Sequence, residues 1–278
     1  MIDPAALIAR PPIETRHRLT AKDTILYALG VGAEELPFVY EAQLVALPMM
    51  AATLTYPGFF WREPDYRADW QRILAGEHSV TIHRALPSEG DFVGLTRILG
   101  VEDKGADKGA VVLLERTIAD EAGTLYATDR RTAFLRGDGG GGSAGVAIPR
   151  PGPMPADRSP DELVTLATAA NQALIYRLSG DLNPLHIDPE VALAAGFERP
   201  ILHGLCTYGV AGRAVLRVLA DNDPSLLTRL DVRFSAPVYP GETIETRIWR
   251  EGDKQARFEC RVTERDVRVL THGYAELR

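Results

Sequence analysis

The sequence predicts an α+β fold of two similar halves, each a helical entry followed by antiparallel strands. Three observations carry that prediction. First, segments recur: ILYALGVG from Ile25 matches LIYRLSGD from Leu174, and EGDFVGLTRI from Glu89 matches PGETIETRI from Pro240 with one gap, as duplication of one domain would leave them. Second, each copy leads into runs of alternating apolar and polar residues, the pattern of strands covered on one face. Third, the halves are separated by four glycines, Gly139 to Gly142, and then Pro149, Pro151, Pro153, Pro155 and Pro160. Such a stretch is flexible at its start and extended after it. The expected organisation is an N-terminal repeat over residues 1–138, a linker over 139–160 and a C-terminal repeat over 161–278.

Taken in order, residues 1–18 are Pro-rich and predict an extended lead-in. Thr20 and Asp23 fit an N-cap and an acidic first turn, followed by Ile25, Leu26 and Leu29 and broken at Gly30 and Gly32. Residues 44–56 are apolar but interrupted by Pro48, and are read as a short buried helix or irregular core. From Gly76 the chain alternates, with Val80 and Ile82 on one face and Thr81 and His83 on the other. Three more strands follow, separated by the turn signals SEGD, EDKGADKG and DEAG. His78 and His83 read as strand surface residues. After the linker, ELVTLATAANQALIYRLSG is predicted partly helical. Asp188, Pro189 and Gly196 cap, open and end a short helix. A longer helix spans Gly204 to Ala220, its small residues suited to lying close against a sheet. Strands complete the chain, with Phe258, Cys260 and Val262 alternating cleanly.

Composition excludes several function classes. The hydrophobic fraction of 45% and charged fraction of 25% are those of a globular protein. A net charge of -7 argues against general nucleic-acid or membrane-surface binding. The two cysteines, Cys206 and Cys260, form no zinc-type cluster. MIDPAALIARPP has no signal-peptide pattern, YAELR no peroxisomal tripeptide, and no apolar run reaches about 18 residues. The expectation is a soluble cytoplasmic protein.

The residues that carry chemistry lie in YRLSGDLNPLHID, from Tyr176 to Asp188, which gathers Asp181, Asn183 and His186. Gly180 permits a sharp turn, and Pro184 pushes Asn183 out of the helical region. The acid and the histidine therefore sit on a stiff loop, which can aim both at one point. A carboxylate and a neutral imidazole facing one spot can hold a water and move its protons. GDLNP alone would also serve as an ordinary turn. The repeat helps to decide. Tyr27 falls under Tyr176 and Leu29 under Leu178, whereas Gly32 falls under Asp181 and Pro37 under His186. The first copy keeps scaffold and lacks both chemical groups, which points to one site per chain in the second half.

The stretch YRLSGDLNPLHIDPEVALAAGF, with RPILHGLCTYG and DVRFSAPVYPGETIETRIW after it, resembles the signature of MaoC-like, (R)-specific enoyl-CoA hydratases, or hydratase 2. The first half fits the two-repeat form through ILYALGVG, ILAGEHSV and EDKG. The resemblance covers nearly the whole chain. It implies a double hot-dog fold, two antiparallel sheets each wrapped on a central helix, with a degenerate N-terminal copy. It implies reversible hydration of trans-2-enoyl-CoA to (R)-3-hydroxyacyl-CoA, with no metal or redox cofactor, and a homodimer. Asp181 and His186 become the catalytic pair, with Asn183 orienting the water or His186. The Gly204 N–H, at the positive end of a helix, becomes the oxyanion donor. Leu182, Pro184, Leu185, His203, Phe234 and Gly76 are placed along the acyl-CoA, and Lys104 or Lys108 near its phosphates. One departure concerns the substrate contacts: Ala75 stands before Gly76 where the family's multifunctional members have histidine. Alternatives are a hydratase or dehydratase for a branched, dicarboxylic or steroid-derived CoA ester, a hot-dog thioesterase, or a non-catalytic acyl-CoA binder.

Overall fold

Local signals open each half, and distant partners complete it. The computed structural model describes residues 2–155 and 157–278. The lead-in is more ordered than its composition suggests. It holds a helix, α1 (Pro4–Ile8), capped by Asp3 on the Ala6 N–H, and a strand, β1 (Ile13–Leu19). The helix α2 (Ala21–Gly30) begins at the expected N-cap, Thr20, with Asp23 in its first turn, and the two close a reciprocal capping box. A short helix, α3 (Leu36–Val39), follows. The strands of the first half are β2 (Ile73–Ile82), β3 (Gly90–Asp103), β4 (Ala110–Asp120), β5 (Leu125–Leu135) and the two-residue β6 (Ala144–Gly145). The second half contains β7 (Glu162–Ala167), α4 (Gln172–Tyr176), α5 (Pro189–Ala194), α6 (Gly204–Leu219), β8 (Leu227–Phe234), β9 (Thr243–Arg250), β10 (Gln255–Val262) and β11 (Val267–Leu277). The stretch ELVTLATAANQALIYRLSG, predicted partly helical, is helical at Gln172–Tyr176 and a strand at Glu162–Ala167. The strand pairs along β9 and buries Val164, a partnership invisible to local pattern.

All the strands join one antiparallel sheet in the order β1-β3-β4-β5-β2-β8-β11-β10-β9-β7, with β6 pairing beside β3. Read outward from the β2–β8 seam, the two halves have the same order, so the duplication seen in the sequence is also a symmetry of the sheet. This is a double hot-dog. At the seam Glu77 faces Arg233 and Ser79 faces Asp231. An Arg233–Glu77 ion pair of 2.6 Å and a Ser79 hydroxyl donating to Asp231 at 2.6 Å add side-chain contacts to the ladder.

The hot-dog helix of the second half is α6. It is covered by the apolar face of its sheet, where Ile244, Ile248, Phe258, Cys260 and Val262 are fully buried. Two of its glycines have a different neighbour from the one expected. A Cβ on Gly209 would meet Val31 at 2.4 Å, and one on Gly212 would meet Met49 at 2.5 Å. Gly209 and Gly212 therefore admit the first half, while the helix also packs against β7, β8 and β9. In that half the segment before the seam strand is only a 3₁₀ turn, Pro48–Ala52, with all five residues buried.

The buried face there holds a polar cluster beside Val80, Ile118 and Ala127. His78, read as a surface residue, is 3% exposed. Its Nε2 lies 3.0 Å from Asp129, whose other oxygen pairs with Arg116 at 2.8 Å. Burial alone would raise the Asp129 carboxyl, but Arg116 and His78 override it and hold it at about 2. Arg116 also donates to the carbonyls of Ala51 and Ala52, at 3.0 and 2.8 Å. A short turn leaves such carbonyls without helical partners, and the guanidinium supplies one.

Two further contacts fix the halves together. Gln172 on α4 donates to the carbonyls of Leu29 and Gly30 at the end of α2, and Cys206 on α6 reaches Gly30 as well. The glycine run, expected to be flexible, is tied down: Gly140 and Gly142 N–H groups donate to the Asp103 carboxylate, each at 2.8 Å.

Candidate active site

The loop from Gly180 to His186 is built by local chemistry. Gly180 adopts φ 117°, a conformation that strains side-chain-bearing residues. The Asp181 carboxylate accepts the Asn183 N–H at 3.2 Å, and the Asn183 side chain accepts the Leu185 N–H at 3.2 Å. Asn183 has ψ 122°, the extended value that Pro184 imposes, and Pro184–His186 form a single 3₁₀ turn. Asp188 then caps α5, and Gly196 follows it with φ 87°. Asp181 is half-buried, while His186 is 7% exposed.

The His186 ring is held from a distance. Its Nδ1 lies 2.9 Å from the Ile201 carbonyl. A carbonyl only accepts, so Nδ1 carries the hydrogen, and in the neutral ring Nε2 bears the free lone pair. Burial lowers the His186 pKa from 6.5, against the opposing pull of the Ile201 carbonyl and Asp181. The ring is thus a neutral base beside a carboxylate. Ile201 is a functional contact that no sequence signal marks, because only its carbonyl is used.

His203 completes the cluster. Its ring stacks on His186 with centroids 3.7 Å apart, and its Nε2–H donates to the Asp181 backbone carbonyl at 3.1 Å. Burial and the neighbouring His186 push its pKa down to about 3. Ligand atoms of Asp181, His186 and His203 lie within 4.8 Å of one another, a spacing a cation could bridge. The stacked rings show each other their faces rather than converging lone pairs, which suits proton transfer better than ligation.

Gly204 is the first residue of α6, where helical N–H groups have no intrahelical acceptor. A Cβ there would sit 3.2 Å from the Phe234 ring, so Gly204 and Phe234 come together at the site's edge. Phe234 ends β8, and its neighbour Arg233 pairs with Glu77, one residue beyond Gly76. Gly76 lies at a bulge in β2, where Thr132 Oγ1 occupies the space of a Cβ at 2.5 Å and accepts the Glu77 N–H at 2.8 Å. Leu182 and Pro184 are exposed and Leu185 half-buried on the loop. Lys104 and Lys108 lie on the β3–β4 connection, Lys104 paired with Glu102 and Lys108 exposed. Among the described residues no hydrogen bond or ion pair joins either lysine to the Asp181 loop.

Comparison with known proteins agrees with this architecture. Residues 17–137 match the MFE-2 hydratase 2 N-terminal domain, and residues 153–272 match the MaoC like domain. A Dictyostelium discoideum protein named probable enoyl-CoA hydratase 2 is 41% identical over 276 residues, 95% of this chain and 92% of that one. The chain belongs to the MaoC-like hydratase 2 family. A crystal structure of a MaoC-like dehydratase from Phytophthora capsici superposes with a TM-score of 0.91 at 35% identity, covering 98% of this chain and 97% of that one. The Drosophila melanogaster peroxisomal multifunctional enzyme type 2 is 38% identical over 96% of this chain, which spans 47% of that protein's length. No helix among the described residues is long and apolar enough to cross a membrane.

Proposed function

We propose that this hydratase 2 family member is a hydro-lyase that adds water reversibly to trans-2-enoyl-CoA, giving (R)-3-hydroxyacyl-CoA, with no metal or redox cofactor. The observation that carries the reading is the His186 tautomer: with Nδ1–H on the Ile201 carbonyl, Nε2 is a free base beside the Asp181 carboxylate. A water between them gives a proton to Nε2 as its oxygen bonds to C3. The C2–C3 π electrons move toward the thioester, whose oxygen gathers charge facing the Gly204 N–H. The Asp181 carboxylate stabilises the imidazolium, and a proton then passes to C2, so the elements of water are added across the double bond. Gly76, Leu182, Pro184, Leu185, Phe234 and a lysine at 104 or 108 are read as substrate contacts. The reading also includes a homodimer and a cytoplasmic location. Sedimentation of the purified chain and imaging of a tagged chain check those two points.

The test uses crotonyl-CoA and trans-2-decenoyl-CoA, following loss of the conjugated thioester absorbance. The expected result is loss with wild type, far slower loss with Asp181→Asn, and a product oxidised by an (R)-specific dehydrogenase. Release of free CoA thiol without hydration would overturn the reading in favour of a thioesterase.

A further inference from the structure

We propose that His203 is a positioning residue that holds the proton-transfer loop in register with the oxyanion glycine. The proposal rests on the hydratase reading for its kinetic consequence, but its geometric content stands apart from it. His203 is the N-cap residue of α6, yet its side chain makes no capping bond. Its backbone carbonyl accepts the Cys206 and Thr207 N–H groups, each at 3.1 Å, which fixes the residue to the helix start that presents Gly204. Its ring reaches the other way, where Nε2–H holds the Asp181 carbonyl at 3.1 Å. One residue therefore spans from the helix carrying the oxyanion donor to the loop carrying the acid and the base.

The ring also sits between two others. His186 stacks on it at 3.7 Å with an interplanar angle of 28°, and Tyr176 packs at 5.0 Å with an angle of 52°. His203 is 1% exposed, and among the described residues its Nδ1 has no hydrogen-bond partner. A buried nitrogen without a partner is a stability cost, so a plain spacer would be better served by an apolar ring. What histidine adds over phenylalanine is the Nε2–H. What it adds over glutamine is a flat face against His186. Its depressed pKa keeps the ring neutral, so it places no positive charge against the base. The Asp181 carbonyl and the His186 ring plane are thus set by the same side chain.

The test compares the purified full chain with His203→Phe, which keeps a ring and loses the donor, and His203→Gln, which keeps a donor. His203→Met serves as a second donor-less variant should the phenylalanine not fold. With crotonyl-CoA, the donor-less variant should lose about 10- to 100-fold in kcat with KM within about threefold, as expected when reacting groups are displaced without loss of substrate binding. His203→Gln should recover part of that loss, because it restores the donor but not the flat face against His186. Independently of turnover, amide hydrogen exchange over residues 180–186 should quicken in the donor-less variant, return toward wild type in His203→Gln, and stay unchanged elsewhere. Wild-type exchange and kcat in the donor-less variant would overturn the proposal. So would equal impairment of both variants with faster exchange throughout the chain. If wild type hydrates no enoyl-CoA but the local exchange pattern appears, the functional reading fails and the positioning role stands.

Discussion

The two repeats share one sheet order and differ in what lies on it. In the second, sixteen residues of helix, Gly204–Leu219, satisfy their own backbone and rest on an apolar face of Ile244, Ile248, Phe258 and Val262. In the first, five residues of 3₁₀ turn, Pro48–Ala52, occupy the position before the seam strand, and the face beneath carries His78, Arg116 and Asp129. The difference shows what losing a helix requires: another group must take up the backbone carbonyls the helix would have satisfied. Arg116 does so, and the Asp129 carboxylate, which also meets His78, then neutralises Arg116. The loops differ in the same sense. Gly32 and Pro37 stand where the second repeat has Asp181 and His186, so scaffold survives in one copy and the candidate chemistry resides in the other.

The largest expected effect tests that asymmetry. Asp181→Asn and His186→Ala should each lower kcat on crotonyl-CoA by about 10²- to 10⁴-fold, the range of a lost acid or base. Turnover near the wild-type rate would mean that the first repeat contributes a site of its own. Next is the polar cluster of the first repeat. Arg116→Met should cost about 3–5 kcal/mol in urea unfolding, because it leaves the Asp129 carboxylate buried with only His78. A cost within experimental error would show that the turn does not need its guanidinium.

The contact between the repeats gives a smaller, ranked effect. Gly209→Ala and Gly212→Ala should each destabilise by about 1–3 kcal/mol through overpacking, read as a shift in thermal midpoint. Gly212→Ala should be the milder, since its Cβ meets the flexible Met49 whereas that of Gly209 meets branched Val31. Equal shifts would mean that the helix moves as a unit.

Acid should act on both repeats. His186 and His203 have folded pKa values below 6.5, so the unfolded chain binds more protons between those values and 6.5. Their contribution is full above about pH 6.5 and is lost as pH falls toward the folded values. Asp129, lowered from 3.8 to about 2, adds a loss at still lower pH. Thermal midpoints should therefore fall from about pH 7 to about pH 4, more shallowly in His203→Gln. The least effect is expected from dialysis against EDTA, which should leave hydration unchanged; a rate restored only by added metal would replace proton transfer with ligation at Asp181, His186 and His203.

The sequence by itself determined what short-range chemistry specifies. The Thr20 N-cap with Asp23 in the first turn, the Asp188–Pro189 start of α5, the alternation of Phe258, Cys260 and Val262, and the turn through Gly180 and Pro184 each act within a few residues, and each is present. The duplication was readable too, and its matched residues Tyr27 and Tyr176 now pack with ring centroids 6.1 Å apart. Tertiary structure decided whatever depends on a partner far along the chain. Ile13–Leu19 and Glu162–Ala167 became strands because β3 and β9 offered edges. His78 became buried because Asp129 and Arg116 lay across the sheet. Gly209 and Gly212 of α6 face Val31 and Met49 because the first repeat packs against that side of the helix. His186 gained its free Nε2 only when Ile201 delivered a carbonyl to Nδ1. A backbone oxygen has no side-chain identity to read, so the feature on which the proposed chemistry depends became visible only in three dimensions.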